Sequence, residues 1–155
     1  MPNTKCSEVY ELFLNKISDF NFTVMDNEVR NRTIELYLRA ACVEFRPDCL
    51  QDLTIVSLDI EHNCCGQVLE FKEELDFQVL NILSECMVVE WLKPKVAFGD
   101  NLENILNTPD FKLYSPANLL KQTRETLDFY QRNVRKLINE YSFEHKKQED
   151  FSYGK

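Results

Sequence analysis

Four residues with soft, metal-ligating side chains fall within one stretch of the chain: Cys49, His62, Cys64 and Cys65. Four such donors could hold zinc in a tetrahedral site. The spacing argues against it. Adjacent Cys64 and Cys65 cannot reproduce the two- to four-residue gap within a ligand pair, and no second CxxC is present. Small, inert thiols are the simpler reading, and Cys42 and Cys86 fall on helix faces as core residues. A thiol enzyme needs a base beside an activated cysteine. The two histidines are His62, next to a possible turn, and His145, in a polar C-terminal stretch. There is no P-loop, no GxGxxG and no HExxH, and three glycines leave little material for a phosphate-cradling loop. Acidic pairs such as Glu73-Glu74 and Asp59/Glu61 read as solvated surface. No catalytic, cofactor-binding or metal-ligating residue is assigned, and the chain is read as a non-enzyme.

The remaining candidates are for partner binding. Lys121, Arg124, Arg132, Arg135 and Lys136 give the last long helix a mild basic bias. Arg132 and Arg135 could meet phosphates or an acidic neighbour. Interleaved Glu125, Asp128 and Glu140 favour intrahelical pairs worth a few tenths of a kcal/mol each. Phe151 and Tyr153 are aromatics in an otherwise polar terminus. They either order on a partner, often as an added strand, or belong to a frayed end.

The elements that carry these residues are mostly helical. Residues 6–18 place Val9, Leu12, Phe13 and Ile17 at three- and four-residue spacing. A polar–aromatic linker follows at 18–22, with Phe20 and Phe22 as anchors onto the core. Asp26 caps a second helix, with Val29, Thr33, Leu36, Tyr37, Ala40, Ala41 and Phe45 expected on its apolar face. Arg46-Pro47 ends it. Residues 53–60 and 67–71 read as a short β-hairpin or an ordered loop, needing helices or another subunit to lean on. A third helix over about 73–92 is apolar around nearly its whole circumference, with Gln78, Asn81 and Glu85 as a narrow polar stripe. Such a helix is the centre of a fold or of an interface. Pro94 should stop or kink it, and a short helix capped by Asp100 is expected near 100–107. The last helix opens with Ser115 as cap and Pro116 at its first position. Leu120, Leu127, Val134 and Tyr141 recur every seven residues, with Thr123, Tyr130 and Leu137 offset, making a heptad seam.

The expected architecture is therefore mainly α: a bundle of about four helices with a hairpin or ordered loop excursion at about 53–71. One helical domain covers 1–143, and an extended tail covers 144–155. A net charge of −8 disfavours a general nucleic-acid binder, since phosphate contacts need clustered Lys and Arg. The first residues lack a signal-peptide layout and no window has the ~18 apolar residues of a membrane span. A cytosolic site of synthesis with reduced thiols is expected.

Between 75 and 142 the residues resemble a family. An apolar helix runs into Met87-Val88, then Trp91-Leu92 and Pro94. Asp110-Phe111, Tyr114-Ser115-Pro116-Ala117-Asn118-Leu119-Leu120 and a long amphipathic helix ending near Tyr141-Ser142 follow. This pattern is similar to that of small neck proteins of tailed bacteriophages, the head–tail connectors or portal adaptors. The Cys-rich 48–72 segment has no counterpart in it. The resemblance implies a virion structural protein, made in the host cytoplasm. It would form a ring, commonly of twelve copies, between the portal and neighbouring neck or tail proteins. Packaged DNA would pass through the lumen and be retained without sequence-specific binding. It implies no cofactor. The residues alone leave two other readings open: a small cytosolic helical module that captures a partner's helix, and a zinc-dependent module built on 49–65.

Overall fold

In a computed structural model the chain is described over residues 3–17, 20–58, 68–106 and 116–152, with backbone only at 20, 21, 58, 99–106, 116, 117, 119 and 146–152. The architecture is mainly α with a small antiparallel hairpin. The elements, in order, are α1 (Cys6–Lys16), α2 (Phe20–Val24), α3 (Asn27–Phe45), β1 (Ile55–Leu58), β2 (Val68–Phe71), α4 (Phe77–Leu106) and α5 (Pro116–Ser152).

The centre is α4. Val79, Leu80, Ile82, Leu83, Cys86, Met87, Val88, Val89 and Leu92 are all buried, and α1, α3 and α5 all pack against α4. The apolar circumference expected from the sequence is thus absorbed by three neighbours of the same chain. Each large aliphatic side chain buried there contributes roughly 1.5–3 kcal/mol. From α1 come Cys6, Val9 and Phe13. From α5 come Val134, Ile138 and Tyr141, with Leu127, Tyr130 and Leu137 packed at their edge, so the seam from Leu127 to Tyr141 is an intramolecular contact; Leu120 is buried apart from this cluster.

Several boundaries differ from the expected ones. The stretch after α1 is not all linker: α2 forms from Phe20, and buried Phe22 meets Phe13 edge-on with ring centroids 6.4 Å apart. Asp26 does cap α3, its Oδ2 accepting from the Glu28 amide at 3.0 Å. The buried face of α3, however, is Ile34, Leu38, Ala41, Cys42 and Phe45, while Val29 and Leu36 face solvent. Both sets have helical period. Ala41 and Phe45 are buried as expected and Tyr37 packs at the edge of the core, but the rest of the buried face is Ile34, Leu38 and Cys42. Pro94 does not stop α4, which continues to Leu106, so Asp100 caps no separate helix. Pro94 forfeits one backbone bond, to the carbonyl of Glu90. The buried turns just before it, from Met87 to Leu92, hold the axis.

Pro116 is the first residue of α5, as expected, whereas Ser115 lies outside the described residues. At its other end α5 continues to Ser152, so the stretch expected to be an extended tail from 144 is helical over most of its length. The heptad seam ends at Tyr141, but helix-forming Glu, Lys and Gln residues keep the backbone wound beyond it.

The hairpin pairs Ile55 with Phe71 and Leu58 with Val68; the expected turn at 61–66 lies outside the described residues. Its support is the N-terminal segment. Phe71 N–H donates to the Thr4 carbonyl at 2.8 Å, Lys5 bridges Glu70, and the buried Thr4 hydroxyl accepts from the Leu75 amide at 2.7 Å. Phe71 and Leu53 then enter the core.

Tyr141 ties α5 to the turn after α3. Its ring meets Phe45 edge-on at 5.3 Å, and its hydroxyl accepts from the Leu50 amide at 3.3 Å. On the outer side the His145 ring covers it at 4.1 Å, and Glu144 accepts from Gln78 at 3.2 Å. Tyr141→Phe should therefore lower stability by about 1 kcal/mol, the net worth of one hydrogen bond, and Tyr141→Ala by about 3–5 kcal/mol as a core cavity. Truncation after His145 should leave the urea midpoint unchanged. Truncation after Phe143 should lower it, because the cover on Tyr141 is then removed.

Candidate functional site

Three features of the described surface and its margin can do chemistry. The first is an apolar groove of about 320 Å³ between α2–α3 and the middle of α4, lined by Phe22, Met25, Tyr37, Trp91, Lys95 and Phe98. Phe22 closes its floor and is buried, while Phe98 on the rim is 68% exposed. The Lys95 ammonium stands 4.6 Å from the Trp91 ring centroid, a cation–π contact that fixes a positive charge at the groove's edge. Because α4 continues past Pro94, Lys95 and Phe98 line the same groove as Phe22 of α2 and Tyr37 of α3.

The second is a polar cleft of about 290 Å³ on α5, lined by Asp128, Gln131, Arg132 and Arg135. Here the two arginines singled out from the sequence come together on an exposed surface. Arg132 Nε donates to the Asp128 carbonyl at 3.2 Å. Neighbouring charges form the intrahelical pairs read from the sequence, Lys121 with Glu125 at 3.9 Å and Lys136 with Glu140 at 3.8 Å. Phe151 belongs to the helical backbone of α5, far along the helix from these arginines, and Tyr153 lies outside the described residues.

The third is a half-buried ammonium. Lys16, at the end of α1, donates to Asn81 Oδ1 at 2.8 Å, Ser84 Oγ at 2.7 Å and Glu85 Oε1 at 2.8 Å, so all three of its protons are used. Lys16 and Glu85 are only 22% and 14% exposed. The polar stripe on the apolar helix was visible in the sequence as Asn81 and Glu85. Its partner was not, because Lys16 is distant along the chain and carries no pattern of its own. This lysine clamps α1 to α4 and is a structural part.

Cys42 and Cys86 are core residues, as expected from their helix faces. Cys6, Cys42 and Cys86 are buried and, with half-buried Cys49, unbridged. Burial pushes Cys6 and Cys42 up to about 12 and raises Cys86 as well. Such thiols hold few thiolates near neutrality and make poor nucleophiles. Among the described residues no group of three or more His, Cys, Asp or Glu side chains could hold a metal ion, and no helix is long and apolar enough to cross a membrane. His62, Cys64 and Cys65 lie outside the described residues. Compared with models of protein families, with characterised proteins and with solved structures, the chain gives no match.

Two measurements test this picture. Lys16→Met should destabilise by about 3–5 kcal/mol, because it strands the Glu85 carboxylate in a half-buried site. Adding Glu85→Gln should recover part of that loss, a non-additivity that a double-mutant cycle in urea reads directly. The second concerns alkaline pH. The folded chain keeps protons on Cys6 and Cys42 at pH values where the unfolded chain, with an ordinary thiol value of 9.0, has lost them. Proton release therefore favours unfolding, and stability should hold below about 9 and fall as pH rises toward about 12.

Proposed function

We propose that this chain is a structural subunit of a tailed-phage neck, a head–tail connector that assembles as a ring between portal and tail and helps retain packaged DNA. What carries the reading is the pattern from 75 to 142, an apolar helix through Trp91-Leu92-Lys93-Pro94 followed by Tyr114-Ser115-Pro116-Ala117-Asn118-Leu119-Leu120. The geometry lends support of a particular kind. The two helices that bear the pattern also present large apolar side chains outward: Phe77 and Phe98 on α4, Phe129 and Phe143 on α5, all more than 60% exposed. Single exposed apolar residues are common on any surface. Four phenylalanines along two adjacent long helices suit a subunit whose flanks are covered by neighbours.

A ring subunit works by packing, and the charge pattern fits that role. The acidic balance of −8 suits a lumen past which DNA slides. The basic cleft of Arg132 and Arg135 offers an acidic neighbour two guanidiniums on one face. Neither feature calls for a cofactor or a catalytic residue.

Cryo-electron microscopy of the chain mixed with the portal protein encoded nearest its gene is the direct test. The expected result is a symmetric ring of this protein on the portal's narrow end. A bare portal with the chain left in solution would sink the connector reading and favour a helical module that captures a partner's helix.

A further inference from the structure

The outer face of α3 carries a heptad row of its own. Val29, Leu36 and Val43 recur every seven residues, with Thr33 and Ala40 between them, so the steps alternate four and three. The row runs about 21 Å along the helix. At about 100° per residue it lies opposite Ile34, Leu38, Ala41 and Phe45, which are in the core. Val29, Leu36 and Val43 are 53%, 60% and 70% exposed. Single apolar residues are normal on a surface, but three at this spacing on one helix make a continuous stripe. Its one polar group is already satisfied, since the Thr33 hydroxyl donates to the Val29 carbonyl at 2.8 Å. Thr33 and Ala40 are small, which lets a second backbone come close.

Alternating steps of four and three are the pattern that a partner helix fits, and this row matches itself. Set parallel and in register about a two-fold axis, two α3 helices bring Val29, Leu36 and Val43 each against its own counterpart, with Thr33 and Ala40 as the layers between. The flanking residues favour that arrangement over the reverse one. Arg32 and Arg39 flank one side of the row, Tyr37 and Glu44 the other. In the parallel pair Arg39 of each copy meets Glu44 of the other, and Arg32 meets the Tyr37 ring. In an antiparallel pair Arg32 would oppose Arg39, like charge against like. Glu44 makes no ion pair among the described residues. Arg39 holds Glu35 of its own helix at 2.7 Å, and a guanidinium keeps further donors for a second carboxylate. We infer that the outer row of α3 packs on the same row of a second copy of this chain, parallel and in register. The helix is already wound and anchored through its core face, so pairing does not carry the cost of forming it. About two heptads make a small contact, so the pair is a weak one, in the micromolar range. The pairing does not depend on the connector reading.

Sedimentation equilibrium of the full-length chain up to about 0.5 mM is the first test, and a dimer is expected. Leu36→Glu should weaken association at least about tenfold, as for loss of a central anchor. Circular dichroism and the emission of Trp91, the chain's single tryptophan, check that the variant is folded. Glu44→Arg should also weaken the pair, more at low salt than at high salt, and reads the same contact should Leu36→Glu disturb the helix. Val43→Cys reads direction. A short bis-maleimide should join the two copies through position 43 in the parallel pair, whereas an antiparallel pair holds those positions about 20 Å apart. The unmodified chain is the control for the native thiols. A chain still monomeric at about 0.5 mM overturns the inference, and so does a dimer indifferent to both Leu36→Glu and Glu44→Arg. A dimer that is lost with Leu36→Glu but gives no cross-linking at 43 beyond the control also overturns it, because the row would then pack in another way.

Discussion

The fold depends on one constraint, that a helix apolar around nearly its whole circumference must be enclosed. No single partner can cover both Val79 and Val88, since nine residues at about 100° each put them on opposite sides of the helix. With α1, α3 and α5 packed around it, α4 is enclosed by three helices. The remaining elements follow from that demand. The short α2 brings Phe22 in beside Phe13. The hairpin, too small to be stable alone, is held by Thr4 and Lys5 and adds Phe71 and Leu53 to one end of the core.

Enclosure also explains where polar groups are allowed. Lys16 and Tyr141 sit at two margins of the core and join elements far apart in sequence. Lys16 meets acceptors for each of its protons on α4. Tyr141 puts its ring against Phe45 and its hydroxyl on the amide of Leu50. A hydrophobic core alone tolerates sliding of one helix along another at little cost. A three-pronged ammonium and a directed phenol do not, because each displaced hydrogen bond leaves a half-buried polar group without its partner. These contacts therefore fix register, while the aliphatic side chains supply most of the stabilisation.

Much of this was legible in the residues. The heptad of Leu120, Leu127, Val134 and Tyr141 marks the face that α5 turns to α4, and the alternating 53–60 segment marks the hairpin. Asp26 and Pro116 mark helix starts by chemistry that acts within one turn. What was not legible is tertiary. Two faces of α3 have helical period, and only the neighbours decide that Ile34 and Leu38 go in while Val29 and Leu36 stay out. Pro94 reads as a stop or a kink because its local cost is certain, whereas the packing that carries α4 through it depends on other elements. The groove was missed for the same reason. Phe22 and Trp91 each stand out in the sequence, but nothing local says that they share a wall.

The division between core and flank bears on how such a chain can work. The apolar side chains of α4 from Val79 to Leu92 are enclosed within one chain, whereas Phe77 and Phe98 on the same helix are left exposed. Besides the outer row of α3, contacts to other molecules then fall to what the core leaves over: the groove past Pro94, the cleft of Arg132 and Arg135, the outward phenylalanines, and the helix beyond Tyr141. These lie at different places along two long antiparallel helices. The groove past Pro94 and the α5 end lie on opposite sides of the contact between Gln78 and Glu144. Lys16 and Tyr141 hold α1 and the turn after α3 to fixed points on α4 and α5, so the positions of these leftover features are set by the core of the single chain.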